Sequence, residues 1–158
     1  MRVLTLIAIA ACLGATTPSD AAQAVEGSLL LGTWHVDVKK LPVPQPPKDV
    51  TLTLTQVAQG EIRMTIDVTN TDGTVIHSES TFKTDGSASP VQGSLDVDTV
   101  SVTLPNRRTL IMGTGMKGHP SNTRVFALSD NSRQMTENIV SHDANGVPHA
   151  RANTWTRT

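Results

Sequence analysis

From Gly32 onward, apolar and polar residues change places at almost every step. "TWHVDVKK" sets Trp34, Val36 and Val38 on one side and His35, Asp37 and Lys39 on the other. "VTLTLTQV" alternates Val50, Leu52 and Leu54 with threonines, and "EIRMTIDV" sets Ile62, Met64, Ile66 and Val68 against Glu61, Arg63, Thr65 and Asp67. Side chains of an extended chain project alternately to opposite faces, so a period of two marks a strand with one buried face. The runs are rich in Val, Ile and Thr, whose branched Cβ suits a pleated surface. No stretch carries the 3.6-residue stripe of an amphipathic helix. The pattern predicts an all-β protein.

Turn residues set the connectivity. Gly60, Gly73 and Gly86 fall thirteen residues apart, the last two in "TDG", and "PNRR", "SDNSR" and "DANG" continue the series near 106, 131 and 145. Short turns of this kind join neighbouring antiparallel strands. They divide the chain into about nine strands, near 33–39, 50–58, 61–69, 74–83, 93–103, 108–114, 122–129, 133–141 and 149–157. A long meander with one apolar face leaves two edges exposed unless its last strand pairs with its first. The expected fold is therefore a single antiparallel up-and-down barrel of about eight to ten strands. A β-sandwich, the alternative, needs long crossovers, and the one long connection is residues 40–49. That connection, "LPVPQPPK", carries four prolines and reads as a stiff extended loop, either a plain connector or a rim over one barrel mouth. The expected inward set is Trp34, Val36, Leu52, Leu54, Met64, Ile66, Phe82, Leu95, Val97, Met112, Phe126 and Met135.

The first residues have a different character. "MR" is followed by the apolar "VLTLIAIAACLGA" and the small, polar "TTPSDAAQA". This is the order of a secretory signal, with an apolar run too short to span a bilayer. The expected division is residues 1–24 as signal peptide and 25–158 as one barrel domain, exported to the periplasm or the extracellular space. The single cysteine, Cys12, falls inside this segment. It is either one small residue of the apolar run or, in "IAAC", the site of a lipid anchor. The barrel has no cysteine with which to form a disulfide and must be held by its core. A net charge of −1 gives no basic footprint for nucleic acid.

Gly32-Thr33-Trp34 on the first strand, a long loop after it, a continuous meander and an arginine in the final strand resemble the lipocalin or calycin superfamily. The segment "W-x-V-D-x-x-K", the proline-rich "PPK", and "DG…H", "DTVSV" and "NGVP" are similar to small exported bacterial proteins of lipocalin-like type. The resemblance implies a barrel whose tryptophan, Trp34, plugs the closed end with a late arginine over its ring. Arg151 and Arg157 are both candidates. It also implies an interior able to hold a small molecule.

The chemistry-bearing residues are few. Aliphatic and thioether side chains, with two tryptophans and no tyrosine in the chain, suit an apolar ligand better than a sugar. The expected ligand-binding residues are Trp34, Val36, Leu54, Met64, Ile66, Phe82, Met112 and Phe126; the alternative is a completely filled core. His35 with Asp37 and His77 with Glu79 each place an imidazole and a carboxylate on one strand face. They could serve an isomerase or cyclase if they point inward, but their alternation with apolar neighbours assigns them to the outer face. A filled-core module of the cell envelope is the third reading. Ser80-Thr81-Phe82-Lys83 matches S-x-x-K, yet an offset of three in a strand puts serine and lysine on opposite faces. Met112, Met116 and His119 suggest soft-metal capture only if one loop gathers them. No metal or cofactor is expected, and no membrane span; oligomeric state is not encoded in any visible pattern.

Overall fold

The computed structural model describes residues 28–158, so the expected signal segment and Cys12 lie outside the described residues. Ten strands follow one another: β1 Gly32–Val36, β2 Asp49–Ala58, β3 Glu61–Thr69, β4 Val75–Lys83, β5 Asp85–Pro90, β6 Thr99–Asn106, β7 Thr109–Met116, β8 His119–Leu128, β9 Gln134–His142 and β10 Pro148–Arg157. All pair antiparallel in one sheet, in the order β4-β3-β2-β1-β10-β9-β8-β7-β6-β5. The last strand pairs with the first, Trp34 facing Arg157 and Val36 facing Trp155. This is the expected up-and-down barrel, and both tryptophans lie on that pair.

The departures from the sequence expectation that change the strand assignment fall in two places, besides shifts of two or three residues at the β7–β8 turn. The expected fifth strand, 93–103, is instead β6 at Thr99–Asn106, and a separate β5 runs through "DGSASP". Serine, glycine and proline have little strand propensity; β5 exists because β6 supplies it with a hydrogen-bonding edge. The first strand stops at Val36, and Val38–Lys40 forms a single 3-10 turn into the proline loop.

The barrel's discontinuity lies between β4 and β5, where among the described residues an isolated bridge, Glu79 to Gln92, joins β4 to the segment that follows β5. Glu79 N–H donates to Gln92 O at 3.0 Å and Gln92 N–H to Glu79 O at 2.8 Å, while Ser80 Oγ donates to Pro90 O at 2.9 Å. Gly93, at φ +76°, presses against the backbone of β4, where an added Cβ would stand 2.0 Å from His77 O. A residue without a side chain lets segment 90–93 seal the gap.

Burial follows the alternation. Leu52, Leu54, Ile62, Phe82, Val102, Leu104, Leu110, Leu128 and Met135 are buried together with both tryptophans. Leu95 departs from the expected inward set at 73% exposed, because it belongs to the loop before β6 and no strand register turns it inward.

Aspartates tie down the loops. Asp72 accepts from Thr74 Oγ1 and N–H, Asp85 from Ser87 N–H, Asp98 from Lys117 N–H and Thr99 Oγ1, and Asp143 from Asn145 and Val147 N–H. These bonds favour the ionised form and hold each carboxyl below its ordinary value of 3.8: Thr74 chiefly for Asp72, Ser87 for Asp85, the Lys117 amide for Asp98 and the Val147 amide for Asp143. For Asp49, burial pushes the carboxyl up, but hydrogen bonds from His35 and Thr51 outweigh it and leave it low. With folded values below unfolded ones, the unfolded chain binds more protons in acid. The stabilisation is complete above 3.8 and is lost as pH falls through that value and the lower folded ones. Urea unfolding is therefore expected to show no loss from these groups between about pH 7 and about pH 5, and a clear loss by about pH 3.

Candidate functional site

The closed end of the barrel is packed solid. Trp34 is fully buried, and its Nε1 donates to Leu30 O at 2.8 Å. Arg157 rather than Arg151 lies over its ring, with Cζ 4.2 Å from the ring centroid. The same guanidinium donates to Leu31 O at 2.8 Å, to Leu29 O, and through Nε to Ser132 O at 3.1 Å. Gly32, at φ +127°, makes room for it: a Cβ there would stand 2.7 Å from Arg157 Nη1. Residues 28–31 are thereby drawn across the barrel end with Leu30 buried beneath.

The opposite half holds a cavity of about 280 Å³. One wall is aliphatic: Val36 of β1, Val50 and Leu52 of β2, Ile66 and Val68 of β3, and Ile76 of β4, with Leu41 reaching in from the proline loop and Leu95 at the rim. The other wall, from β8, β9 and β10, carries Arg124, Phe126, Glu137, Ile139, Arg151, Asn153 and Trp155. A smaller chamber of about 80 Å³, lined by Met64, Glu79, Val91, Val97, Val100, Met112 and Thr114, shares Ile66, Ser78, Ser94 and Arg124 with it.

Of the residues expected to meet a ligand, Val36, Ile66 and Phe126 line the larger cavity, and Met64 and Met112 line the smaller one. Trp34, Leu54 and Phe82 line neither; they are buried in the packed core. Of the four candidate catalytic residues, His35, Asp37 and His77 line neither chamber, while Glu79 borders the smaller one. His35 Nδ1 lies 3.1 Å from Asp49 rather than beside Asp37, and Asp37 pairs with Lys40 at 3.0 Å. His77 Nδ1 is 2.6 Å from Asp67 across β3 and β4, not beside Glu79, which lies 3.8 Å from Arg63. His77 stands directly opposite Asp67, closer than a residue two along its own strand, whereas His35 reaches Asp49 on the diagonal because β1 ends at Val36 and Asp37 turns away into the 3-10 turn. Met112 points into the barrel while Met116 and His119 face each other across the β7–β8 turn; they form no common site. Ser80 is buried and Lys83 exposed, as their offset requires.

The polar wall was not anticipated. Glu137, 1% exposed, takes Arg124 Nη1 at 3.1 Å on Oε1, and on Oε2 it takes Asn153 Nδ2 at 2.8 Å and Trp155 Nε1 at 3.1 Å. Arg124 Nε also donates to Asn122 Oδ1 at 3.0 Å. Its signal was present in "QMTENIV": with Met135 and Ile139 inward, the period of two puts Glu137 inward between them. Asn153 stands directly opposite Glu137 in the β9–β10 ladder, and Arg124 lies on the diagonal from β8.

Closed antiparallel meander, tryptophan plug and stacked arginine, with an interior cavity behind them, define a calycin-type β-barrel. The comparisons with solved structures agree on the fold. The chain is similar to the wild-type fluorescent protein UnaG, with a TM-score of 0.54 and 16% identity over 82% of this chain and 97% of that one. An asparagine-to-alanine mutant of UnaG gives 0.56 and 16% over 85% and 98%. No protein-family model matches the chain, and no curated protein does.

Proposed function

We propose that this protein is an exported carrier that holds a small, mostly apolar molecule inside its barrel. The observation that carries the reading is the cavity of about 280 Å³ enclosed between an aliphatic wall and a compact polar cluster. Its volume lies just below the usual range of small-molecule sites, about 300–1,000 Å³, and its lining has their composition: apolar walls with a few convergent polar groups. A barrel filled throughout would have continued the packing of its closed half. The N-terminal apolar segment supports export, and the exposed proline loop beside Leu41 supports an entrance at that mouth.

Native mass spectrometry of protein purified from its host, with uptake of a fluorescent apolar probe, tests the reading. A bound mass or saturable uptake, abolished when Ile66→Trp fills the cavity, is the expected result. Absence of both in folded wild-type protein would overturn it.

A further inference from the structure

The interior polar cluster has donors and acceptors left over after its own hydrogen bonds are counted. Arg124 spends Nε on Asn122 and one Nη1 hydrogen on Glu137. Its Nη2 has no recorded partner among the described residues, and the side chain, 24% exposed, borders both chambers. Asn153 commits its amide nitrogen to Glu137, which fixes the orientation of the amide. Its Oδ1 is buried and has no partner among the described residues. A charged guanidinium and a lone amide oxygen thus stand on either side of one carboxylate.

Over the whole lining the formal charges balance, Arg124 and Arg151 against Glu137 and Asp96. Glu137 neutralises Arg124 at 3.1 Å, and at the mouth the lining includes both Arg151 and Asp96. A carboxylate reaching the depth of the cavity would approach Arg124 against the field of Glu137, and would lose its hydration without meeting an unpaired cation there, since Arg151 stands exposed at the mouth. An uncharged hydroxyl suffers neither penalty. Its oxygen can accept from Arg124 Nη2, which borders the cavity.

We propose that the cavity selects neutral, hydroxyl-bearing apolar molecules over carboxylic acids, with Arg124 as the anchoring donor and Glu137 as the group that rejects anions. The proposal rests on the ligand-binding reading above and is tested with three probes of one ring system: 2-naphthol, 2-methylnaphthalene and 2-naphthoate, titrated at neutral pH by fluorescence and calorimetry. Wild-type protein is expected to bind 2-naphthol roughly tenfold more tightly than either of the others, the scale of a hydrogen bond to a charged group. Glu137→Gln, which keeps the shape of the side chain and removes its charge, is expected to raise 2-naphthoate affinity by about tenfold and to change 2-naphthol affinity far less. Equal or tighter binding of 2-naphthoate by the wild type overturns the selectivity while leaving the carrier reading intact. Equal binding of 2-naphthol and 2-methylnaphthalene overturns the anchor. Binding of none of the three by protein that still takes up the fluorescent apolar probe overturns this proposal alone, and failure with that probe and absence of a bound mass as well overturn the carrier reading. The wild-type series decides the proposal even if Glu137→Gln does not fold.

Discussion

Truncating Trp34 to alanine is expected to lower stability by about 3–5 kcal/mol, the scale of removing a large, fully buried aromatic side chain. Three contributions are lost together. The indole is wholly inaccessible, its Nε1 satisfies Leu30 O at 2.8 Å, and its ring carries Arg157 at 4.2 Å. The guanidinium would keep its bonds to the carbonyls of Leu29 and Leu31, but above a void rather than a ring. Trp34→Phe separates the terms: it retains an aromatic surface and loses the N–H, at an expected cost of about 1–3 kcal/mol. Denaturant unfolding followed by circular dichroism measures both. A midpoint for Trp34→Ala unchanged from wild type would show that the closed end does not depend on its plug.

Replacing Glu137 with leucine has a different physical origin and an expected cost of about 2–4 kcal/mol. It leaves Arg124 without its counter-ion and strands the N–H donors of Asn153 and Trp155. Removing one partner of a fully buried pair costs more; the range is lower here because Arg124 retains 24% exposure. The double variant Arg124→Met with Glu137→Leu is expected to recover much of the loss, since no uncompensated charge then remains. The thermodynamic cycle over these variants isolates the coupling. Additive losses would mean that the pair does not act as a unit. The same double variant would abolish the preference for a hydroxyl over a hydrocarbon, linking the stability of the polar wall to its selectivity.

Much of the fold was legible because a barrel repeats one simple rule. Alternation in "TWHVDV", "VTLTLTQV" and "EIRMTIDV" reports which face of each strand is buried, and "TDG", "SDNSR" and "DANG" report where the chain reverses. Where a residue breaks the alternation, the reading was weaker. β5 is a strand only because β6 lies beside it, and Leu95 is apolar but belongs to a loop. The site was less legible for a related reason. Arg124, Glu137 and Asn153 are separated by 13 and 16 residues in the chain and meet through two ladder registers. In each strand, the polar residue looks like a local interruption of an apolar face. Only their juxtaposition turns three interruptions into one satisfied cluster.

The amino-acid sequence by itself determined the class of structure: extended segments with one apolar face, short turns between them, and closure of the last strand on the first. These follow from the two-residue period of a strand and from the cost of leaving sheet edges and apolar faces exposed. Tertiary structure alone decided which arginine covers Trp34, because Arg151 and Arg157 share a strand face and differ only in their height along the barrel. It also decided that one half of the barrel is packed and the other hollow. That distinction depends on the volumes that side chains from all ten strands leave between them, a sum over distant residues that no local pattern contains.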